Sequence, residues 1–324
     1  MKNFDPRFSD FPDYILKITQ EIWEGRGLTT LHDTYHPDVI MRLPLGIVCG
    51  NADVIDGTLS TIAEFPDRLL LGEDVIWCGD DDAGYLSSHR IVSSGTHTGH
   101  GIYGPPTGRH MTIRAIADCA AKANMIYDEW LVRDGSGLLM QLGLDTPTFV
   151  RDQIAREGGP DTAKKPFSPE TDVQGSYTSR GNDNRFGAQL ADILTRLMAK
   201  DFTAVRAEYD RAVRTEHPGL RGGWGHAFAE TEWMRLRSAF PSATFQVHHV
   251  IGREDPGQPN RAAVRWSLTG RHDGYGPFGA PTGAAVHIMG ITHAEWGPWG
   301  LRREFTLFDE IAVLKQIAIA TGAA

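Results

Sequence analysis

The sequence predicts an α+β fold written twice in one chain, the two copies forming an intrachain pseudo-dimer. Three observations carry this. The stretch GTHTGHGIYGPPTG at 95–108 recurs as GRHDGYGPFGAPTG at 270–283; each half opens with apolar residues at helical spacing; and each half continues into a run of short β-branched segments. With residue n laid over n+175, eight of the fourteen positions in the repeated stretch are identical. The same offset, without a gap, puts Glu129 on Glu304, Trp130 on Phe305, Asp134 on Asp309, Leu139 on Leu314 and Gln141 on Gln316. Upstream it puts Phe65 on Phe240 and Gly50 on Gly225, and Tyr35 meets Tyr209 at an offset one shorter. Two copies of a unit of about 140 residues, an ordinary domain size, argue for a covalently joined pair and against a solenoid.

The elements follow in the same order in each copy. Phe11, Ile15, Ile18 and Ile22 recur at three- and four-residue steps, with Asp13 near the start and Gly25 and Gly27 past the end; Leu190, Ile193, Leu194 and Leu197 do the same in the second copy. A second short helix (DFTAVRAEYD in copy two) leads to irregular segments at HPDVIMRLPLG and EHPGLRGGWG. A third helix ends at FPD or FPS. The rest of copy one reads as antiparallel strands: RLLLGEDVIWCG, AGYLSSHRIVSSGTHTG, HMTIRAIADCA and NMIYDEWLVRD. Helices first and strands after place the helices on one face of a curved sheet. The polar, Pro- and Gly-rich stretch between the copies, with a short helix at TFVRDQIARE, reads as a linker. The expected division is copy one at 1–146, linker at 147–182 and copy two at 183–324.

The glycines of 95–108 are not a phosphate cradle, because such a cradle runs straight into a helix N-terminus. Here RHMTIRAIADCA and AAVHIMGITHAEW follow, and both read as strand. The 324 residues, 41% hydrophobic and 23% charged, suffice for two soluble cores. A net charge of −9 without basic clusters disfavours nucleic acid and anionic membrane as partners. Cys49, Cys78 and Cys119 form no C-x-x-C pair, which disfavours a disulfide framework or a cysteine zinc site. MKNFDPRFSD has no apolar signal core, and no run reaches membrane-spanning length. A cytoplasmic protein with a small-molecule ligand, no metal and no cofactor is expected.

GTHTG, GPPTGR, YDEWLVRD and LLMQLGL, in that order, resemble the SnoaL-like polyketide cyclase family of the nuclear transport factor 2-like superfamily. The resemblance spans most of residues 10–145 and, more weakly, 185–320. It implies a cone in which three helices and a bent sheet enclose a pocket, and pairing through the outer sheet face. The family's acid/base aspartate position falls on Leu131 and Thr306, and its assisting histidine on Ala117 and Thr292, so neither copy keeps that pair. What remains implied is a cofactor-independent enzyme of cyclase, isomerase or lyase type, moving a proton on a small carbonyl-bearing or cyclic molecule. The alternatives are a non-catalytic binding or scaffolding protein, or a hydrolase on the same fold.

Strand alternation puts Glu129 and Glu304 on the pocket face with positions 131 and 306. A carboxylate enclosed by apolar walls is raised toward neutral pH and suits proton transfer, which makes these two the acid/base candidates. The competing reading is a rim carboxylate paired with Arg133 or Arg303. Opposite alternation puts Asp118, Trp130, His293 and Phe305 on the outer face, where the equivalent Asp118 and His293 are expected to meet across the pseudo-two-fold axis as a structural pair. Pocket candidates are Tyr14, Trp23, His36, Tyr35 and Tyr85 in copy one and His217, Trp224, Trp233 and Trp266 in copy two, with the large aromatics serving equally well as core. His97 and His272 read as pins of a glycine-rich hairpin, and Asp134 and Asp309 as turn acceptors of backbone N–H groups. Trp299, in a turn that is polar or small in copy one, is expected to close a pocket or an interface.

Overall fold

A computed structural model describes residues 1–322. Copy one runs α1 (Phe11–Trp23), α2 (Thr29–Thr34), β1 (Tyr35–Leu43), β2 (Gly46–Cys49), α3 (Asn51–Glu64), β3 (Leu69–Asp80), β4 (Gly84–Thr96), β5 (His110–Lys122), β6 (Met125–Arg133) and α4 (Gly135–Leu142). After α5 (Thr146–Arg156), copy two repeats the order: α6 (Arg185–Met198), α7 (Thr203–Glu208), β7 (Tyr209–His217), β8 (Arg221–Trp224), α8 (Gly225–Ala239), β9 (Thr244–Arg253), β10 (Arg261–Arg271), β11 (Ala285–Gly297), β12 (Gly300–Phe308) and α9 (Glu310–Thr321).

Each copy has one six-stranded sheet, ordered β2-β1-β6-β5-β4-β3 and β8-β7-β12-β11-β10-β9. The meander from β3 to β6 is antiparallel, as its alternation predicts. The segments read as irregular are instead hairpins whose first strand joins the sheet parallel to its last, with Met41 opposite Glu129 and Thr215 opposite Glu304. The sheets are therefore mixed. α1 begins at Asp10, whose carboxylate accepts from Asp13 N at 2.8 Å, and buries Phe11, Tyr14, Ile15, Ile18 and Ile22 against the concave face. α6 does the same with Leu190, Ile193, Leu194 and Leu197.

The repeated glycine-rich loop clamps the end of the third helix in each copy. Gly99 N donates to Glu64 O at 3.0 Å and Gly274 N to Ala239 O at 3.2 Å. A Cβ at either glycine would lie about 2 Å from a helix carbonyl oxygen, so only glycine lets the loop dock. His97 and His272 are fully buried in that loop, each with Nδ1 3.1 Å from the hydroxyl of Thr107 or Thr282.

The convex faces of the two sheets pack on each other about a pseudo-two-fold axis. Arg265 stacks 3.7 Å over Trp130, and its equivalent Arg90 stacks 3.8 Å over Phe305. Arg265 also bonds Asp118 at 2.7 Å, while Arg90 reaches His293 Nδ1 at 3.5 Å and Glu295 at 2.8 Å. Such exchanged contacts between equivalent positions define an isologous interface. Asp118 and His293 do not bond each other directly: Ser88 Oγ lies between, donating to Asp118 at 2.5 Å and 2.8 Å from His293 Nε2. Each of the two is instead met by an arginine of the other copy, Asp118 by Arg265 and His293 by Arg90. Burial and the neighbouring Arg90 keep the His293 imidazole neutral, far below its usual range. Apolar patches flank this polar centre, with Ile116, Val132, Met289, Ile291 and Leu307 on one side and Ile76, Leu86, Ile251 and Ala263 on the other.

The connection between copies is pinned rather than loose. α5 packs Val150 and Ile154 against Ile311 of α9, and Phe167 inserts between the sheets. Arg42, almost fully buried, bonds Asp128 at 2.9 Å, Asp172 at 2.6 Å and Val173 O at 2.5 Å, and so ties the strap to β1 and β6. Among the described residues no helix is long and apolar enough to cross a membrane, and no group of three or more His, Cys, Asp or Glu is placed to hold a metal ion.

Candidate functional site

The concave face of copy one and its helices α1 and α3 enclose a cavity of about 910 Å³. The strand register arranges its floor in rows. Cys119 and Met41 flank Glu129 in the deepest row; Ala117 lies between His89 and Leu131 in the next; Ala115 lies between Ile91 and Arg133 in the third. Ile15, Ile18 and Ile22 of α1 and Val54 and Thr58 of α3 form the roof.

Glu129 is buried in this apolar surround. Burial pushes its carboxyl up from 4.5 to about 7, against hydrogen bonds from Tyr35 and Cys119 and the nearby charge of Arg133. Tyr35 donates its hydroxyl to Glu129 Oε2 at 3.1 Å, and burial beside that carboxylate holds the phenol far above its usual range. His89 is pushed down to about 4 by burial and by Arg90, so its imidazole is neutral at pH 7, and its Nε2 has no hydrogen-bond partner among the described residues. It shares a row with Ala117 and Leu131, the positions where the family pair is absent. Toward the mouth lies Arg68, also buried; its Nε donates to Ser93 Oγ at 3.0 Å, and its guanidinium stacks 5.1 Å over Trp23. Burial and the like charge of Arg133 bring Arg68 down to about 10.

Copy two keeps the carboxylate and fills the space. Glu304 accepts from the hydroxyls of Tyr209 and Thr306 and lies 3.6 Å from His217 Nε2; burial pushes it, too, to about 7. Burial holds His217 down at about 3, with Arg221 and Arg235 adding to the effect, so the contact joins a neutral imidazole to the carboxyl group rather than two charges. At the offset of 175, Thr58 becomes Trp233 and Ile91 becomes Trp266. Both tryptophans are buried. The Trp266 ring crosses Gly290, where a Cβ would clash at 2.2 Å and where copy one has Ala115. Trp266 Nε1 donates to Thr292 Oγ1 at 3.0 Å, which lies 3.0 Å from Thr306 Oγ1, which donates to Glu304 at 3.1 Å. Hydrogen-bonded side chains thus fill the space that is open in copy one. Arg68, His89 and Arg133 become Ala243, Val264 and Phe308.

Of the pocket candidates, Trp23 lines the copy-one cavity, and so does Tyr35. Tyr14 and Tyr85 do not. They close the narrow end of the cone, Tyr14 bonding Thr34 O and Asn124 O, and Tyr85 stacking 4.9 Å from Phe11. His36 is exposed at the start of β1, where its Nδ1 accepts from Asp38 N at 3.1 Å, because the proline after it turns the chain outward. Trp224 stands in solvent, 63% exposed, stacked under Arg214, because β8 is an edge strand. Trp266 is core. Trp299, 80% exposed, closes neither pocket nor interface within the chain. Asp134 and Asp309 cap α4 and α9, and Asp134 also accepts from Gly219 N at 2.6 Å and Leu220 N at 2.9 Å across the copies. Sequence reasoning missed Arg68 and His89 in the cavity wall. The signal for both was the offset itself, which sets each against an apolar residue in the other copy.

The profile of the SnoaL-like polyketide cyclase family matches residues 14–142. A search of curated proteins found no match to the chain. Among solved structures, IdmH of Streptomyces antibioticus is similar, at 25% identity over 41% of this chain and 98% of that one, with a TM-score of 0.36. TsrD of Streptomyces laurentii matches at 17% identity over 42% and 98%, with a TM-score of 0.36. A SnoaL-like polyketide cyclase of Agrobacterium tumefaciens matches at 18% identity over 40% and 94%, with a TM-score of 0.31.

Proposed function

We propose that copy one, whose residues 14–142 match the profile of the SnoaL-like polyketide cyclase family, is a cofactor-independent acid/base catalyst acting on a carbonyl-bearing or cyclic molecule, and that copy two is its structural partner. The observation that carries this is Glu129: a buried carboxyl raised to about 7, inside a cavity large enough for a ligand. A base near the working pH takes a proton from carbon beside a carbonyl and returns it without a large mismatch in either direction. In the resting site the Tyr35 hydroxyl serves the carboxylate. Once Glu129 holds the substrate proton it needs that donor less, and the un-ionised Tyr35 is free to turn to the oxygen that gains charge. Glu304 has the same chemistry available and no space beside it.

The test is solvent deuterium incorporation into a panel of ketones, lactones and β-dicarbonyl compounds. Glu129→Gln should lower exchange by roughly 10²–10⁴-fold, the usual worth of a general base, while Glu304→Gln leaves it unchanged. Exchange lost with Glu304→Gln instead would move the activity to copy two. No exchange with any compound would move the reading to hydrolysis without enolisation or to a binding protein, the latter favoured by the missing family pair at Leu131 and Ala117.

A further inference from the structure

Arg68 is buried at the junction between the main cavity and a side chamber of about 290 Å³ that is also lined by Tyr103, Phe149 and Gln153; Arg133 lines both spaces. Among the described residues neither guanidinium lies within ion-pair distance of a carboxylate: the only hydrogen-bond partner of the Arg68 guanidinium is the neutral Ser93, and Trp23 and Phe65 lie under it. The nearby acids are engaged elsewhere. Glu64 accepts from Tyr103 N at 3.0 Å and lies 3.4 Å from His97; Asp309 caps α9, accepting from Ile311 N at 2.8 Å; Glu157 is bound by Lys315 at 2.7 Å. A buried cation without a counter-charge is costly, and Arg68, buried beside the half-buried Arg133, bears that cost together with their mutual repulsion. An anion bound between them would relieve both.

We infer that Arg68 and Arg133 bind the carboxylate of the ligand, and that the ligand of this cavity is therefore a hydrophobic carboxylic acid whose apolar body lies toward Glu129. The exposed Arg156 also lines both spaces, and the charge balance favours a singly charged head over a phosphate because Glu64 and Glu157, with a partly protonated Asp309, offset much of the positive charge of the three arginines. Among the described residues, the helix N-termini at the chamber, those of α4 and α9, are already capped by Asp134 and Asp309 and offer no seat for a second charge. The wall of the main cavity is mostly apolar along α1, with Ile15, Ile18, Ile22 and Trp23, and α3 adds Val54 beside the hydroxyls of Thr58 and Thr61, which suits a ring or chain body. Nothing equivalent survives in copy two, where the two positions are Ala243 and Phe308. The inference names the substrate class of the same site as the proton-transfer proposal and rests on that cavity being the ligand site; it does not need the site to be catalytic.

The experiment is calorimetric titration of the full chain with matched probes: 2-naphthoic acid, its methyl ester and 2-naphthyl phosphate. The acid should bind about tenfold or more tightly than the ester, the usual worth of hydrogen bonds to a charged group. Arg68→Met and Arg133→Met should each remove that preference while ester affinity stays within about twofold. An ester bound as tightly as the acid by the wild type, or a preference that survives both substitutions, overturns the inference. Tighter binding of the phosphate than the acid overturns the carboxylate assignment. The wild-type comparison stands even if a variant fails to fold. Glu129→Gln should retain the acid preference, so a failure of catalysis and a failure of anion binding are read separately.

Discussion

Glu129 and Glu304 each hold a proton to about pH 7, against an ordinary carboxyl value of 4.5. Each folded-state value lies above the unfolded one, so each group favours the folded protein most below pH 4.5, and that contribution is lost as pH rises through about 7. The shift corresponds to about 3 kcal/mol per group, to order of magnitude. Glu304→Gln, which keeps the shape and loses the titration, should therefore narrow the gap in Tm between pH 4.5 and pH 8 by raising the pH 8 value; calorimetry on both proteins checks this, and an unchanged gap would contradict it. Alternation along β6 was enough to face Glu129 inward in the sequence. The shift was legible only as a direction, since its size depends on how completely α1 and α3 seal the cavity. Arg68 and His89 were legible only as polar residues set against Ala243 and Val264 at the offset, because a polar residue at or in a strand reads as solvent-facing until the packing above it is known.

At the scale of elements, the first three helices of each copy and the four-strand meander could be read from the sequence, and the hairpins β1–β2 and β7–β8 and the terminal helices α4 and α9 could not. HPDVIMRLPLG has prolines at both ends and lacks clean alternation; its strand character comes from the parallel pairing of β1 with β6, which links residues almost ninety positions apart. The difference between the copies was present in the sequence as Thr58 against Trp233 and Ile91 against Trp266, but volume acquires meaning only once both positions are known to face the same space. Thr58→Trp in copy one should exclude naphthoic acid from the cavity with little loss of thermal stability, which calorimetric titration and a melting curve test together. Trp266→Ala in copy two should cost about 3–5 kcal/mol, the usual price of removing a large buried aromatic, measured by urea unfolding; a cost under about 1 kcal/mol would mean that Trp266 is not the plug described.

For the whole molecule, the interface is organised around buried charge. Asp118→Asn would leave Arg265 without its counter-charge and should destabilise the chain by about 3–5 kcal/mol in chemical denaturation; Asp118→Asn as stable as the wild type would show that Ser88 and Trp130 suffice to satisfy that arginine. Duplication and pairing were legible from the repeat and from strand facing. The strap was not, because Phe167 and Arg42 become part of the core only when both sheets are present. The polar centre of the interface also bears on how the protein is made. At about 5–20 residues per second, the second copy takes roughly 10–35 s to emerge after the first is complete. During that wait the nascent first copy shows water a face bearing Ser88, Arg90, Arg114 and Asp118 among its apolar residues, one that the ribosome's surroundings can solvate until its partner arrives.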